Sequence, residues 1–294
     1  MGPDDGPGTV VAWRKILWER QPFPDNYVNH CFMEELRRNK GLRQYRYWAV
    51  VREAGLVGQQ LSCVAIFITL WLYMEEGLLF PGTILVVSLA TLLMGYGLYR
   101  ALGLRVEPVL SHRTCLADLQ RATIYLAFIF CISPVLKRLT ESLSTDTVYA
   151  MSALMLLAHL VSFPYTHPSP TESLSLNVAL FASVCLASRL PGTLDTFTML
   201  SCAPMIFALW PCLLRRVKDR VPCHFAVGCA GVCAAGVGGL ASRWPGGVVL
   251  LVLALVFVIL LCPWLLVRLQ RDKDNIHGPW DEAEIHEDLS RFLH

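Results

Sequence analysis

Eight apolar runs dominate this chain, and they are read as helical spans of a lipid bilayer. They are Gly55–Met74, Leu78–Tyr99, Ala122–Leu136, Thr147–Phe163, Leu174–Ala187, Leu194–Leu214, Cys223–Ala241 and Gly247–Val267. A hydrocarbon core takes about 20 residues as helix. The third and fifth runs are short, so either reads as a tilted half-span or a re-entrant piece. Charged residues make up 16% of the sequence, against roughly a quarter in a soluble domain. The fold class expected is all-α: a polytopic helical membrane bundle of about eight helices. Its connections on one side are short, and no internal repeat is visible.

Basic residues orient the bundle. With the N-terminus cytoplasmic, only Lys137, Arg138, Arg189 and Arg243 of the 25 Lys and Arg fall in the opposite loops. Both termini are therefore expected on the cytoplasmic side. None of the 11 cysteines falls in those four loops, and no Asn-x-Ser/Thr sequon occurs. The net charge of +2 is spread between apolar runs and forms no nucleic-acid patch. No secretory h-region precedes residue 55, so the first span is expected to act as the targeting signal.

Three regions follow. Residues 1–54 read as a cytoplasmic segment with interfacial helices, opening on a Gly/Pro/Asp-rich stretch over 1–9 that reads as disordered. Residues 55–267 read as the bundle, and 268–294 as a cytoplasmic amphipathic tail. The first region interleaves Arg37, Arg38, Lys40, Arg43 and Arg46 with Tyr45, Tyr47 and Trp48. Rings favour the headgroup level and cations the anionic leaflet. Arg37, Arg38, Arg43, Arg46 and Trp48 are thus lipid-headgroup candidates, the plainer reading being an interfacial anchor. Gln21–Tyr27, with Pro22 and Pro24, reads as a stiff connector.

In the tail, a helix is expected near Trp280. Ile285, Leu289, Phe292 and Leu293 form one face, while Asp281, Glu282, Glu284, Glu287 and Asp288 make the rest acidic. An anionic leaflet repels such a helix. Trp280, Ile285, Leu289 and Phe292 are therefore candidates for docking on protein, either this chain's cytoplasmic face or a partner.

Within the spans, His159 and Asn177 are the conspicuous polar groups, expected to face the interior as interhelical hydrogen bonds or as the lining of a path. Ser133-Pro134 is expected to kink the third span. Thr145 or Asp146 is expected to cap the fourth, the alternative being a polar pocket at that membrane face. Ala226, Ala230 and Ala234 are expected to form the packing face of the seventh. Cys223, His224, Cys229 and Cys233 match no zinc spacing. No Walker A, dinucleotide loop or Gly-x-Ser-x-Gly occurs. Asp272-Lys273-Asp274 has no nucleotide domain around it. No catalytic centre, metal or cofactor is expected. The weaker alternatives are a membrane-embedded transferase using Glu75, Glu76 or Asp146, and a lipid transporter or scramblase using His159 and Asn177.

Several blocks carry a family resemblance. They are Trp18-Glu19-Arg20-Gln21-Pro22-Phe23-Pro24-Asp25-Asn26-Tyr27-Val28, Met74-Glu75-Glu76-Gly77-Leu78-Leu79 and Ser133-Pro134-Val135-Leu136-Lys137. Leu139–Ser142, Tyr149–Ser152, Phe181–Pro191 and Asn275–Ile285 complete the set, in order along the chain. Together they resemble the PIG-C family, the C subunit of phosphatidylinositol N-acetylglucosaminyltransferase. Residues 1–9, 101–114 and 164–172 differ from the family pattern. The resemblance implies an essential membrane component without an assigned catalytic residue. It implies the first step of GPI-anchor synthesis, transfer of N-acetylglucosamine from UDP-GlcNAc to phosphatidylinositol at the endoplasmic reticulum membrane. It also implies other subunits as partners, among them the catalytic PIG-A subunit, with phosphatidylinositol as the lipid.

Overall fold

A computed structural model describes residues 20–24, 27, 37–38, 45–103, 115–139, 144–165, 171–273 and 276–277. The chain divides into two compact units, residues 46–267 and residues 1–45 with 268–294.

The larger unit is helical. Among the described residues the helices are α1 (Tyr47–Glu75), α2 (Pro81–Gly103), α3 (Cys115–Leu139), α4 (Thr145–Ser162), α5 (Thr171–Ala187), α6 (Thr193–Arg220), α7 (Pro222–Ala241) and α8 (Pro245–Arg271), the last turn of α8 belonging to the smaller unit. Each coincides with one apolar run of the sequence. Seven are long and apolar enough to cross a membrane, and α5 is the shorter one. Local chemistry sets the ends. Pro81, Pro222 and Pro245 open α2, α7 and α8, where a missing N–H costs nothing. α1 ends at Gly77, whose φ of +68° lets the Leu78 N–H reach back to Tyr73 O at 2.9 Å.

α1 and α6 are the central helices, with over half of their apolar windows buried, while α2 and α3 have only 6% buried. Phe67, Met199, Leu200, Ala203 and Phe207 fill the core between α1 and α6, joined by Ala179, Ala182 and Leu186 of α5. α6 and α8 each widen into a π-helical turn, at Met205–Leu209 and Phe257–Leu261. A proline follows each turn, Pro211 and Pro263. A proline ring clashes with the carbonyl four residues back, here Phe207 and Ile259, and the wider turn relieves that clash. Both turns face α1. Phe207 packs on Phe67 at 5.1 Å between centroids, and Ile259 lies over Gly58.

Three expectations need correction. The third span is not short: α3 runs over 25 residues, because its first two turns, with Asp118, Gln120 and Arg121, are too polar to register as a span. Pro134 lies inside α3, the position expected for a kink, and Ser133 is buried, donating to Thr193 O at 3.2 Å. Ser144 caps α4 in place of Thr145 or Asp146, its Oγ accepting from the Thr147 N–H at 3.3 Å. Ala226, Ala230 and Ala234 are exposed. α7 turns Phe225, Cys229, Gly236 and Leu240 inward instead. The reason is proximity. A Cβ on Gly236 would lie 3.3 Å from Ser62 O, and one on Gly239 3.1 Å from Thr69 Cγ2. Glycine gives α1 a closer approach than alanine would.

In the smaller unit, two-residue strands β1 (Arg37–Arg38) and β2 (Ile276–His277) pair antiparallel, Arg37 with His277 and Arg38 with Ile276. The Tyr45 N–H donates to Gln270 Oε1 at 3.2 Å. The 17-residue α5 spans about 25 Å of helix. In the Pro22–Tyr27 stretch, the Tyr27 N–H closes a tight turn onto Pro24 O at 2.9 Å.

Candidate functional site

Polar groups concentrate at three levels of the large unit. The first lies within the bundle. Gln60 of α1, His159 of α4 and Ser175 of α5 are all buried, at 1%, 0% and 1% exposure. Gln60 Nε2 approaches His159 Nε2 at 2.9 Å, and His159 Nδ1 approaches Ser175 O at 2.9 Å. An amide nitrogen only donates, so Nε2 accepts and the proton sits on Nδ1, directed at Ser175 O. Ser175 Oγ lies 2.8 Å from Nδ1 and donates to His159 O at 3.2 Å. Phe207 and Phe163 stand edge-on to the imidazole at 4.9 and 5.8 Å. The network is closed and ties three helices together. Asn177 is not part of it. It lies on the exposed side of α5, two residues and about 200° round the helix from Ser175.

The second level is the end of the large unit where α1 begins and α2, α4 and α6 finish. α6 ends on Arg215, Arg216, Lys218 and Arg220. Lys218 Nζ pairs with Glu53 Oε2 of α1 at 2.5 Å. Arg216 stacks on Tyr99 of α2 at 4.0 Å, and Arg215 on Phe163 at 4.9 Å. Arg215 also donates to Pro164 O. Tyr165, beyond the end of α4, donates to Leu160 O at 2.6 Å, and burial pushes its hydroxyl up to about 12. This aromatic-backed basic collar was visible in the sequence only as positive charge after an apolar run. Nearby on α1, Arg46 is exposed at the N-cap and Trp48 is 72% exposed, edge-on to Tyr47 at 5.2 Å. Arg37 and Arg38 lie in β1 of the smaller unit. Arg43 lies outside the described residues, as do Trp280, Ile285, Leu289 and Phe292.

At the opposite face the acidic residues singled out in the sequence are separated. Glu76 pairs with Arg243 at 3.1 Å, and Tyr149 donates to Glu75 Oε1 at 3.5 Å. Asp146 is exposed in the first turn of α4. Trp71 Nε1 donates to Leu186 O and Tyr73 Oη to Gly239 O, both at 2.8 Å, binding α1 to α5 and α7. Among the described residues no group of three or more His, Cys, Asp or Glu is placed to hold a metal ion.

Comparison with known proteins adds a family. The GPI2 model, described as phosphatidylinositol N-acetylglucosaminyltransferase, matches residues 13–281. The C subunit of phosphatidylinositol N-acetylglucosaminyltransferase from Homo sapiens is 51% identical over 285 residues, 96% of each chain. Its counterpart from Bos taurus is 50% identical over the same length and shares. The GPI2 subunit of the transferase from Schizosaccharomyces pombe is 29% identical over 287 residues, covering 92% of this chain and 86% of its own. No solved structure matches. Seven helices long and apolar enough to cross a membrane, a family match over residues 13–281 and relatives half-identical over 96% of each chain lead to one conclusion: this chain belongs to the GPI2 family of phosphatidylinositol N-acetylglucosaminyltransferase C subunits.

Proposed function

We propose that this chain is a membrane subunit of the complex that transfers N-acetylglucosamine from UDP-GlcNAc to phosphatidylinositol, the first step of GPI-anchor synthesis. Its place is the endoplasmic reticulum membrane, with both ends cytoplasmic. A different subunit, of the PIG-A type, carries the chemistry. This chain organises the assembly and holds the lipid substrate at the membrane surface. The family match across residues 13–281 carries the reading. Support for a non-catalytic role comes from the carboxylates: Glu76 is engaged by Arg243, Glu75 by Tyr149, and Asp146 stands in the first turn of α4. The proposed regions are 1–54 and 268–294 as cytoplasmic ends and 55–267 as the bundle.

Two variant complexes test the two ends. Trp280→Ala with Leu289→Asp removes the apolar face of the tail, and the expected result is reduced recovery of the partner proteins on purification. Equal recovery would end the docking role. Reversing the charge of Arg37, Arg38 and Arg43 should lower transfer several-fold while the complex stays assembled, since each basic residue near an anionic surface contributes about 1 kcal/mol. Normal activity would end the surface role.

A further inference from the structure

α2 and α3 both lean on α6, and few of their residues are buried. Polar contacts join them near the end where α2 finishes and α3 begins. Tyr96 of α2 donates its hydroxyl to Asp118 Oδ2 of α3 at 2.9 Å. Arg121, one turn further along α3, stands 3.7 Å from Asp118 Oδ1, beyond hydrogen-bond length. The Asp118 side chain is 26% exposed and that of Arg121 67%.

This group differs from the other polar groups of the spans. Gln60, His159 and Ser175 are buried and satisfy one another. Glu53 and Glu76 are each held by a basic partner at 2.5 and 3.1 Å. Asp195 is used by the Gly192 N–H at 2.8 Å. Asp118 is instead reached across helices by a neutral hydroxyl, and its ion pair with Arg121 is long at 3.7 Å. A first-turn acid favours a helix start through the dipole. That accounts for the charge of Asp118 but not for a tyrosine reaching it from another helix. An anionic leaflet also disfavours a carboxylate at headgroup depth unless something there donates to it.

We propose that Tyr96, Asp118 and Arg121 form a headgroup site for an inositol phospholipid, seated between α2 and α3. The proposal rests on the reading given under the proposed function and names where the lipid substrate sits. Vicinal ring hydroxyls donate to Asp118 Oδ1, the Tyr96 hydroxyl fixes the carboxylate from behind, and the Arg121 guanidinium takes the phosphodiester. The acyl chains run along the same helix faces. There helical spacing stacks Leu93 and Leu89 on α2 and Ala122 and Tyr125 on α3, with both leucines more than half exposed.

The test uses the whole purified complex in phosphatidylcholine vesicles with varied phosphatidylinositol. Asp118→Asn and, separately, Tyr96→Phe should raise the KM for phosphatidylinositol about tenfold, the scale of one hydrogen bond to a charged group. The kcat and the KM for UDP-GlcNAc should not move. Both variants are near-isosteric, and the make-up of the complex is checked in the same preparations. In the unmodified complex, a phosphatidylinositol with a photoreactive acyl chain should label α2 and α3, and glycerophosphoinositol should compete. Unchanged KM in both variants, or equal labelling by phosphatidylserine or phosphatidylethanolamine probes, would overturn the site while leaving the proposed function intact. Full transferase activity from a complex lacking this chain would instead overturn the proposed function.

Discussion

Replacing His159 with leucine is expected to destabilise the purified chain by about 2 kcal/mol, and replacing Gln60 as well should restore part of that loss. The argument turns on which cost is larger. An interhelical hydrogen bond inside a membrane protein contributes about 0.6 kcal/mol on average. A buried donor left without an acceptor costs about 1–3 kcal/mol. His159→Leu leaves the Gln60 amide stranded at 1% exposure, with only apolar groups where Nε2 stood. In the double variant His159→Leu with Gln60→Leu, no stranded amide remains. Thermal unfolding of the detergent-purified chain reads both values. A double variant less stable than the His159 single variant would mean that the network matters by its bonds and not by the cost of breaking it.

Gly236→Leu should disrupt the α1–α7 contact, at a cost of about 3 kcal/mol, the upper end for overpacking, because the obstacle is backbone. The first atom of the new side chain meets Ser62 O at 3.3 Å and Ser62 Cα at 3.6 Å, and neither can rotate away. Gly231→Leu, five residues earlier in α7, has open space within 4 Å and serves as the matched control. Leucine has a higher helix propensity than glycine, so the control should be neutral or slightly more stable. Equal losses in both variants would show that α7 does not approach α1 along the Gly236 and Gly239 face.

Much of the bundle was legible because burial in lipid demands long apolar runs, and every helix of the large unit coincides with one. What escaped was whatever hydropathy does not encode. The start of α3 was invisible because Asp118, Gln120 and Arg121 break the apolar pattern while remaining helical. The rotation of α7 was misread for a related reason. Alanines at every fourth position and glycines on the other side are both small-residue stripes, and only the backbone approach at Ser62 and Thr69 distinguishes them. Asn177 shows the limit of the rule that intramembrane polar groups face inward: the inward face of α5 is already occupied by Ser175, Ala179 and Ala182. The pairing of Arg37–Arg38 with Ile276–His277 involves main chain, so no side-chain pattern announced it. The candidate site divided in the same way. His159 stood out as a polar group in an apolar run, but its partners Gln60 and Ser175 come from other helices. Tyr96 and Asp118 are joined only by the placement of α2 beside α3.

The most direct measurement of the central claim is transfer of labelled N-acetylglucosamine to phosphatidylinositol by the full-length chain alone, purified and placed in lipid nanodiscs with UDP-GlcNAc. The assembled complex is measured beside it. The account predicts product from the complex and none above background from the chain by itself. Glycolipid formed by the solitary chain, at a rate comparable with the complex, would contradict it.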